Sequence, residues 1–237
     1  MVEQMVGRAI GGVMVTVIFY VFALLVHGRW RWVHPLVVTA GLLMGLIGLL
    51  QVWVPLEVQL DKYKEASIAL KFMLGPATVA LAVPLYRRLG EIRAQLAAVV
   101  GAVAIGGTVS VVVSWAVTSA FGGTREIQLA MLSRSVTTPI SIGIARQLGA
   151  PEELAATFTV LSGLLGAVVG PAFLRAIGIR HDLPTGLAIG TAAHGIGTSS
   201  VIRQSQAQGA AAGLAMALNG IFTSLLMIPV YLLLGPR

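Results

Sequence analysis

The residues that could do chemistry in this sequence lie in three polar interruptions of apolar segments, with one further residue in the last segment. Their backbone N–H, hydroxyl and guanidinium groups donate hydrogen bonds, and this chemistry suits the binding of a small anion. Arg134 can pair with a carboxylate through two hydrogen bonds, and extending to a lipid interface is its alternative. The candidate binding residues are Gly75, Pro76, Arg134, Ser135, Thr137, Thr138, Pro139, His194, Gly195, Gly197, Thr198, Ser199 and Asn219.

The first two interruptions each contain a proline that can break a helix. Gly75 precedes Pro76, which lacks a backbone donor and clashes with the preceding turn, so a break is favoured over a mild kink. Pro139 suits the first turn of a new half-helix, with Thr137 or Thr138 as its cap. Proline kinks and Ser/Thr pairs that serve only helix packing are the alternative interpretation of each interruption.

The third interruption spans residues 190–200. Two glycines and a run of Thr and Ser follow His194, so we expect an unwound stretch before a helix capped by Thr198 or Ser199. His194 could carry a coupled proton, because imidazole titrates near neutrality, or it could be a satisfied core histidine. Asn219, the only asparagine of the chain, could join the site or form an ordinary interhelical hydrogen bond.

The placement of the acidic residues indicates the charge of the ligand. All nine Asp and Glu residues lie near predicted segment ends or in loops, and none lies in the middle of a segment. Proton and sodium relays commonly place a carboxyl group inside the membrane. The ionisable residues in or near the interruptions are Lys71, Arg134 and His194. This charge pattern predicts a site for an anion rather than a cation.

The elements that must position these residues are membrane helices. Hydrophobic residues make up 57% of the 237 residues and charged residues 11%, whereas soluble domains carry about a quarter charged residues. Residues 32–56, 94–124 and 204–236 contain no Asp, Glu, Lys or Arg, and each run is long enough to cross a bilayer as a helix. Alternation with period two, which a membrane barrel would show, is absent.

The predicted fold is an all-α polytopic membrane protein with a single transmembrane domain over residues 1–237. Eight full crossings would place seven Lys/Arg residues on each side, and this balance favours broken or re-entrant helices in some segments. Similar stretches end at Gly90 and Gly149, 59 residues apart, as in transporters built from inverted repeats. The glycines from Gly163 to Gly170 are expected to allow close helix approach. The expected apolar segments are residues 6–26, 34–54, 66–86, 92–118, 127–148, 153–177, 185–205 and 209–234.

Several function classes are excluded or disfavoured. The chain has no cysteine, so disulfides, thiolate catalysis and Cys-ligated metals are excluded. The zinc motif H-E-x-x-H, the nucleophile elbow and the P-loop are missing, so we expect no enzyme, no ATPase, no metal and no cofactor. The net charge of +7 comes largely from arginines in short loops, where they anchor a chain at lipid headgroups, so nucleic acid is not a predicted partner.

Four stretches of the chain resemble the signature motifs of the LrgB/CidB family. They are residues 74–86 (LGPATVALAVPLY), 134–140 (RSVTTPI), 190–198 (GTAAHGIGT) and 216–220 (MALNG), and the resemblance runs from about residue 35 to the end. It implies an antiholin-like or murein-hydrolase-regulating protein of the bacterial inner membrane, acting with a small holin-like LrgA/CidA-type partner. Other members are linked to pyruvate uptake, and a plastid relative exchanges glycolate and glycerate. The family is also similar to elevator-type transporters with crossed broken helices, which implies inverted repeats and a homodimer.

Residues and resemblance together predict a secondary transporter of small monocarboxylates such as pyruvate or glycolate. Residues 135–138 and 195–199 would hold the carboxylate, and residues 75–76 would shape the cavity. The alternative is an antiholin-like regulator of murein hydrolase activity and cell lysis without transport of its own. An intramembrane enzyme is a third class, which the missing motifs disfavour.

Overall fold

The structure, a computed structural model, describes residues 2–30, 33, 35–53, 55, 63, 72, 76, 86 and 89–234. The chain divides into two compact units, unit 1 (Met1–Ala80) and unit 2 (Leu81–Arg237), and the single-domain prediction stays a prediction. The described residues form helices and no strand, which confirms the predicted all-α fold. Gly75 and most of the predicted segment 66–86 lie outside the described residues.

Unit 1 contains two helices that pack against each other, α1 (Val2–Arg29) and α2 (Pro35–Leu50). His27 Nδ1 donates to the carbonyl oxygen of Val33 at 2.9 Å in the connection between them. Proline is favoured at a first helical position because its missing N–H would have no intrahelical partner there, and α2 begins at Pro35. The two helices match the predicted segments 6–26 and 34–54.

Four helices of the described chain are long and apolar enough to cross a membrane, which confirms a multi-pass membrane protein. They are Ile10–Arg29 in unit 1 and Leu96–Ala120, Glu152–Ala176 and Gln206–Leu233 in unit 2. The described elements of unit 2 are α3 (Leu89–Ala94), α4 (Leu96–Ala120), α5 (Arg125–Met131), α6 (Thr138–Leu148), α7 (Glu152–Ala176), α8 (Asp182–Ile202) and α9 (Gln206–Leu234).

The helices α5 and α6 form a re-entrant hairpin, hairpin 1. The arm α6 runs antiparallel to α7, because Arg146 Nε contacts Glu152 Oε1 at 2.7 Å where they join and Arg134 Nη1 contacts Ser162 Oγ at 2.9 Å further along. One core cluster unites the end of α4, both arms of hairpin 1, the start of α7 and the end of α9, and includes Val111, Leu129, Leu148, Ala155 and Met227. Both arms of hairpin 1 therefore open on one side of unit 2, the hairpin-1 face.

The helix α8 is a second re-entrant hairpin, hairpin 2, rather than a crossing helix. Its 21 residues would span about 30 Å if it were straight. Asp182 at its start nevertheless accepts hydrogen bonds from Ser205 Oγ at 2.9 Å and Gln208 Nε2 at 2.8 Å, both beyond its end. The chain reverses at His194, the one non-glycine residue with positive φ among the described residues. Both arms of hairpin 2 open on the opposite side, the hairpin-2 face, because α7 runs from one face to the other.

The two hairpins belong to an inverted repeat. A second core cluster joins the end of α7, both arms of hairpin 2 and the start of α9 and includes Leu174, Ile189, Val201 and Ala212. Because α4 ends at the hairpin-1 face and α7 ends at the hairpin-2 face, each long helix is followed by a hairpin that enters from the face where the helix ends. The two hairpins therefore enter from opposite faces. The helices α4 and α7 begin 56 residues apart, and the hairpins begin 57 residues apart. This spacing is close to the 59 residues that separate the two similar stretches of the sequence. Segments 127–148 and 185–205 do not cross, and the Lys/Arg balance had predicted such segments without identifying them.

Glycines on α7 let hairpin 2 approach closely. A Cβ at Gly163 would lie 2.7 Å from His194 Cε1, and a Cβ at Gly166 would lie 2.5 Å from Ala193 Cβ. This confirms the prediction that the Gly163 to Gly170 stretch serves close packing.

Gly190→Ala is expected to destabilise unit 2. The added Cβ would lie 2.6 Å from Ala212 Cα and 2.7 Å from its carbonyl carbon, and a backbone cannot yield as a side chain can, so we expect a loss of about 1–3 kcal/mol. Gly143→Ala is the matched control, because a Cβ there meets nothing within 4 Å. Thermal unfolding of the purified chain in detergent should show a lower Tm for Gly190→Ala alone. Equal Tm values for the two variants would contradict this packing.

With the two hairpins in place, the basic residues of unit 2 are no longer equally divided between the two faces. Among the described residues of unit 2, the arginines at the hairpin-2 face are Arg93, Arg175, Arg180 and Arg203, and those at the hairpin-1 face are Arg125 and Arg146. Arginines in short loops concentrate on the cytoplasmic side. We therefore expect the hairpin-2 face to be cytoplasmic.

This orientation can be read from single introduced cysteines, because the chain has none of its own. Glu153 and His181 are exposed at the hairpin-1 and hairpin-2 faces. In intact cells a membrane-impermeant maleimide should label Glu153→Cys, and His181→Cys should label only after permeabilisation. The reverse pattern would show that the orientation is inverted.

Candidate functional site

The tip of hairpin 1 is the break at residues 132–137 between α5 and α6. The helix α6 begins at Thr138, with Pro139 in its first turn and Thr137 at the N-cap position, as the sequence predicted. The Thr137 side chain accepts no capping hydrogen bond, so it leaves the first N–H groups of α6 unsatisfied. A helix start of this kind attracts negative charge.

The tip of hairpin 2 is His194 itself, with φ 40° and ψ −135°. The hydroxyls of Thr198 and Ser199 donate to the carbonyl oxygens of His194 at 2.7 Å and Ile196 at 2.8 Å. The prediction that Thr198 or Ser199 caps the second half-helix is therefore wrong. The chain turns at His194, and both residues already lie within the second arm, where hydroxyls commonly bond to a carbonyl three or four residues earlier.

Asn219 of α9 joins the two tips. Its Nδ2 donates to the carbonyl oxygens of Ser135 at 3.0 Å and Thr191 at 3.1 Å. Its Oδ1 accepts from Thr223 Oγ1 at 3.3 Å, and the side chain is fully buried. One amide thus holds a carbonyl from each hairpin, and the two breaks converge inside unit 2.

A chain of buried hydroxyls links the same tips through α7. Thr159 Oγ1 donates to Ser141 Oγ at 2.9 Å, and Ser141 Oγ lies 2.8 Å from Ser133 Oγ in the tip of hairpin 1. The carbonyl oxygen of Thr159 lies 2.9 Å from His194 Nε2. A carbonyl can only accept, so Nε2 carries a proton and Nδ1 is left as the second ring nitrogen. Among the described residues, Nδ1 has no hydrogen-bond partner.

The Arg134 guanidinium lies between α4 and α7. Its Nε donates to Ser114 Oγ at 2.7 Å and its Nη1 to Ser162 Oγ at 2.9 Å. The side chain therefore points into unit 2 rather than out to a lipid interface. Among the described residues it pairs with no carboxylate, and its Nη2 makes no hydrogen bond. A partly buried charge without a counter-ion is unfavourable, so this position favours an anion.

Ser135 is a second group in the tip of hairpin 1 that lacks a partner. The residue is 1% exposed. Among the described residues, its Oγ is the one buried side-chain nitrogen or oxygen without a hydrogen bond. Buried polar atoms are normally satisfied by protein, water or ligand, so this hydroxyl is available to a bound molecule.

The structure brings most of the predicted site residues to this centre. The tip of hairpin 1 contains Arg134, Ser135 and Thr137, and Thr138 and Pro139 follow it in the first turn of α6. His194 forms the tip of hairpin 2, Gly195 and Gly197 follow it in the second arm, and Asn219 bonds to both hairpins. Thr198 and Ser199 lie one turn beyond the tip of hairpin 2. Pro76 is exposed and belongs to unit 1. Gly75 lies outside the described residues.

Sequence reasoning missed the residues that hold the tips in place. Ser114 and Ser162 are each one of several hydroxyl residues in the apolar helices α4 and α7. Ser141 and Thr159 carry no motif of their own, and Thr191 lies in the 190–198 motif but was not among the candidates. The available signal was the scarcity of charge, because a buried arginine in an apolar segment needs polar partners on neighbouring helices. Within the described residues no three His, Asp or Glu side chains are grouped to hold a metal ion.

Two re-entrant hairpins that meet inside an inverted repeat define this chain as a polytopic membrane protein with a buried polar centre. A sequence model of the LrgB-like family matches residues 16–233. The chain belongs to that family, as its motifs predicted.

Named relatives agree with this membership. The uncharacterized protein YwbG of Bacillus subtilis is 35% identical over 211 residues, which cover 88% of this chain and 91% of YwbG. The antiholin-like protein LrgB of Bacillus mycoides is 27% identical over 172 residues, which cover 73% of this chain and 74% of that protein. No solved structure gives a significant match. The names of these relatives describe no enzyme.

Proposed function

We propose that this chain is a secondary transporter of small monocarboxylates of the pyruvate, glycolate and glycerate class. The observation that carries the proposal is the Arg134 guanidinium, which lies at the tip of hairpin 1 and has no carboxylate partner among the described residues. A substrate carboxylate would accept hydrogen bonds from the free Nη2, as guanidinium groups bind planar anions.

The backbone of the tips supports the same ligand. The second arm of each hairpin begins at its tip, so the starts of α6 and of residues 195–202 both lie at the centre of unit 2. Helix starts carry partial positive charge and favour anions. In this proposal the free hydroxyl of Ser135 contacts the substrate and Asn219 keeps the tips together. Gly197 lets the two arms of hairpin 2 approach closely.

The inverted repeat supports an alternating-access movement. Hairpins that enter from opposite faces give equivalent routes from each side to one central site, an arrangement used by transporters with inverted repeats. We include an elevator-type movement, a homodimer and a small holin-like LrgA/CidA-type partner in the proposal. The resemblance to the family supports these three parts of the proposal.

Uptake into proteoliposomes tests this function. Liposomes that contain the purified chain, alone and together with its holin-like partner, should accumulate radiolabelled pyruvate or glycolate in a saturable manner. Empty liposomes and labelled choline, a cation of similar size, are the controls. No uptake of either acid in both preparations would sink the proposal.

An antiholin-like regulator is the second candidate, favoured by the name of the Bacillus relatives. Regulation without transport predicts that the lysis phenotype of a deletion strain is rescued by Arg134→Gln as well as by the wild-type chain. Transport predicts that uptake and rescue are lost together. Lysis assays and uptake assays on the same variant therefore separate the two functions.

A further inference from the structure

A polar pocket at the hairpin-2 face lies apart from the central site. It has a volume of about 250 Å³ and is bordered by the end of α7, the start of α8 and the connection to α9. Two arginines line it, Arg175 in the last turn of α7 and Arg180 just before α8. Neither guanidinium has a hydrogen-bond or ion-pair partner among the described residues, so the donors of two guanidinium groups are free in the pocket.

The nearby carboxylate of Asp182 does not pair with these arginines. Asp182 accepts hydrogen bonds from Ser205 Oγ at 2.9 Å and Gln208 Nε2 at 2.8 Å. These two bonds fix the entry of hairpin 2 against α9 and occupy both carboxylate oxygens. Neither arginine forms an ion pair with this carboxylate, so the guanidinium donors of Arg175 and Arg180 are left for an external anion.

The lining of the pocket includes a hydroxyl that is open to the pocket and makes no hydrogen bond among the described residues. Thr185 lines the pocket and is 7% exposed. Its backbone N–H bonds to the carbonyl oxygen of His181 at 3.2 Å, but its hydroxyl has no hydrogen-bond partner among the described residues. A hydroxyl that lines the same pocket as two guanidinium groups adds a short donor that suits a tetrahedral oxyanion.

The rest of the wall is partly apolar, with Gln204 and Gln208 as further polar residues, and the apolar part suits an amphiphile. Pro171 and Ile179 border the pocket, and α7 is long and apolar enough to cross a membrane. Because Arg175 lies in the last turn of that helix, the pocket is at the depth where phospholipid phosphates lie. We propose that this pocket binds a phosphate group, carried by an anionic phospholipid of the leaflet at the hairpin-2 face.

Titration with defined lipids tests the site without reference to transport. The Tm of the purified chain in neutral detergent is followed by the fluorescence of its four tryptophans during addition of phosphatidylglycerol, phosphatidylcholine or inorganic phosphate. Phosphatidylglycerol should raise the Tm at lower concentrations than phosphatidylcholine. Each arginine near an anionic lipid contributes about 1 kcal/mol, so Arg175→Gln with Arg180→Gln should need about 30-fold more phosphatidylglycerol.

Two further variants separate the contribution of the pocket from that of surface charge at the same face. Thr185→Val removes only the hydroxyl and should weaken the phosphatidylglycerol effect several-fold, whereas Arg203→Gln, at the same face outside the pocket, should titrate like the wild type. Native mass spectrometry should show fewer retained phosphatidylglycerol molecules on the double variant. If inorganic phosphate protects as well as the lipid, the site binds free phosphate. Equal titrations of wild type and double variant, or equal effects of the two lipids, would overturn the proposal.

Discussion

Asn219→Leu is expected to lower the Tm of the purified chain by about 5–15 °C. The substitution keeps a buried side chain of similar size but removes the amide that donates to the carbonyl oxygens of Ser135 and Thr191. Hydrogen bonds between helices inside membranes are worth about 1–2 kcal/mol in model systems, so two lost bonds amount to about 2–4 kcal/mol. A chain of this size changes its Tm by about 2–4 °C per kcal/mol.

Two further variants separate hydrogen bonding from packing at this position. Asn219→Asp keeps the shape of the side chain but replaces the donating nitrogen with an acceptor, so it should be at least as unstable as Asn219→Leu. Thr223→Val removes only the 3.3 Å bond to Asn219 Oδ1 and should have the smallest effect. A stable Asn219→Asp variant would show that the tips do not depend on this amide.

Arg134→Gln is expected to lower the affinity for pyruvate about 10- to 100-fold while the chain remains folded. Hydrogen bonds to charged groups contribute about 1.5–3 kcal/mol, and 1.4 kcal/mol corresponds to a tenfold change in affinity. Glutamine can still bond to Ser114 or Ser162, but it offers no charge to a carboxylate. Arg134→Lys keeps the charge and loses the fork that reaches both serines, so it should fall between the wild type and Arg134→Gln.

The matched control for this substitution is Arg146→Gln at the hairpin-1 face. Arg146 is an exposed residue of the same hairpin and pairs with Glu152 at 2.7 Å. Exposed ion pairs of this kind contribute little to stability, so uptake and Tm should match those of the wild type. A loss of uptake in both variants would mean that the reduction of positive charge, rather than the tip of hairpin 1, controls transport.

The break in hairpin 1 could be predicted because proline and hydroxyl residues at the break itself indicate it. Pro139 is favoured in the first turn of a helix over its interior, and the threonines before it suit an N-cap, so the start of α6 could be predicted from a few residues. The repeat was also indicated by the two similar stretches that end at Gly90 and Gly149. Both features depend on which residue types occur at which positions, and a single sequence gives that information.

The meeting of the tips could not be predicted in the same way. The carbonyl groups that accept hydrogen bonds from Asn219 belong to Ser135 and Thr191, which precede it in the sequence by 84 and 28 residues. Any residue type can supply a backbone carbonyl. The reversal of hairpin 2 depends on a positive φ at His194, a conformation that non-glycine residues rarely adopt. For that reason Thr198 and Ser199 were predicted to cap a helix that begins after them. The local sequence of α8 also did not indicate that the helix returns to the face from which it enters.

Equilibrium binding of radiolabelled pyruvate to the purified chain is the most direct test of the central claim, that the paired tips form an anion site around Arg134. The wild type and Arg146→Gln should bind pyruvate saturably, and Arg134→Gln should bind about 10- to 100-fold more weakly. Thermal unfolding of each sample establishes that the variants are folded. Equal affinity of folded wild type and Arg134→Gln would contradict the account, as would the absence of saturable binding to the folded wild type.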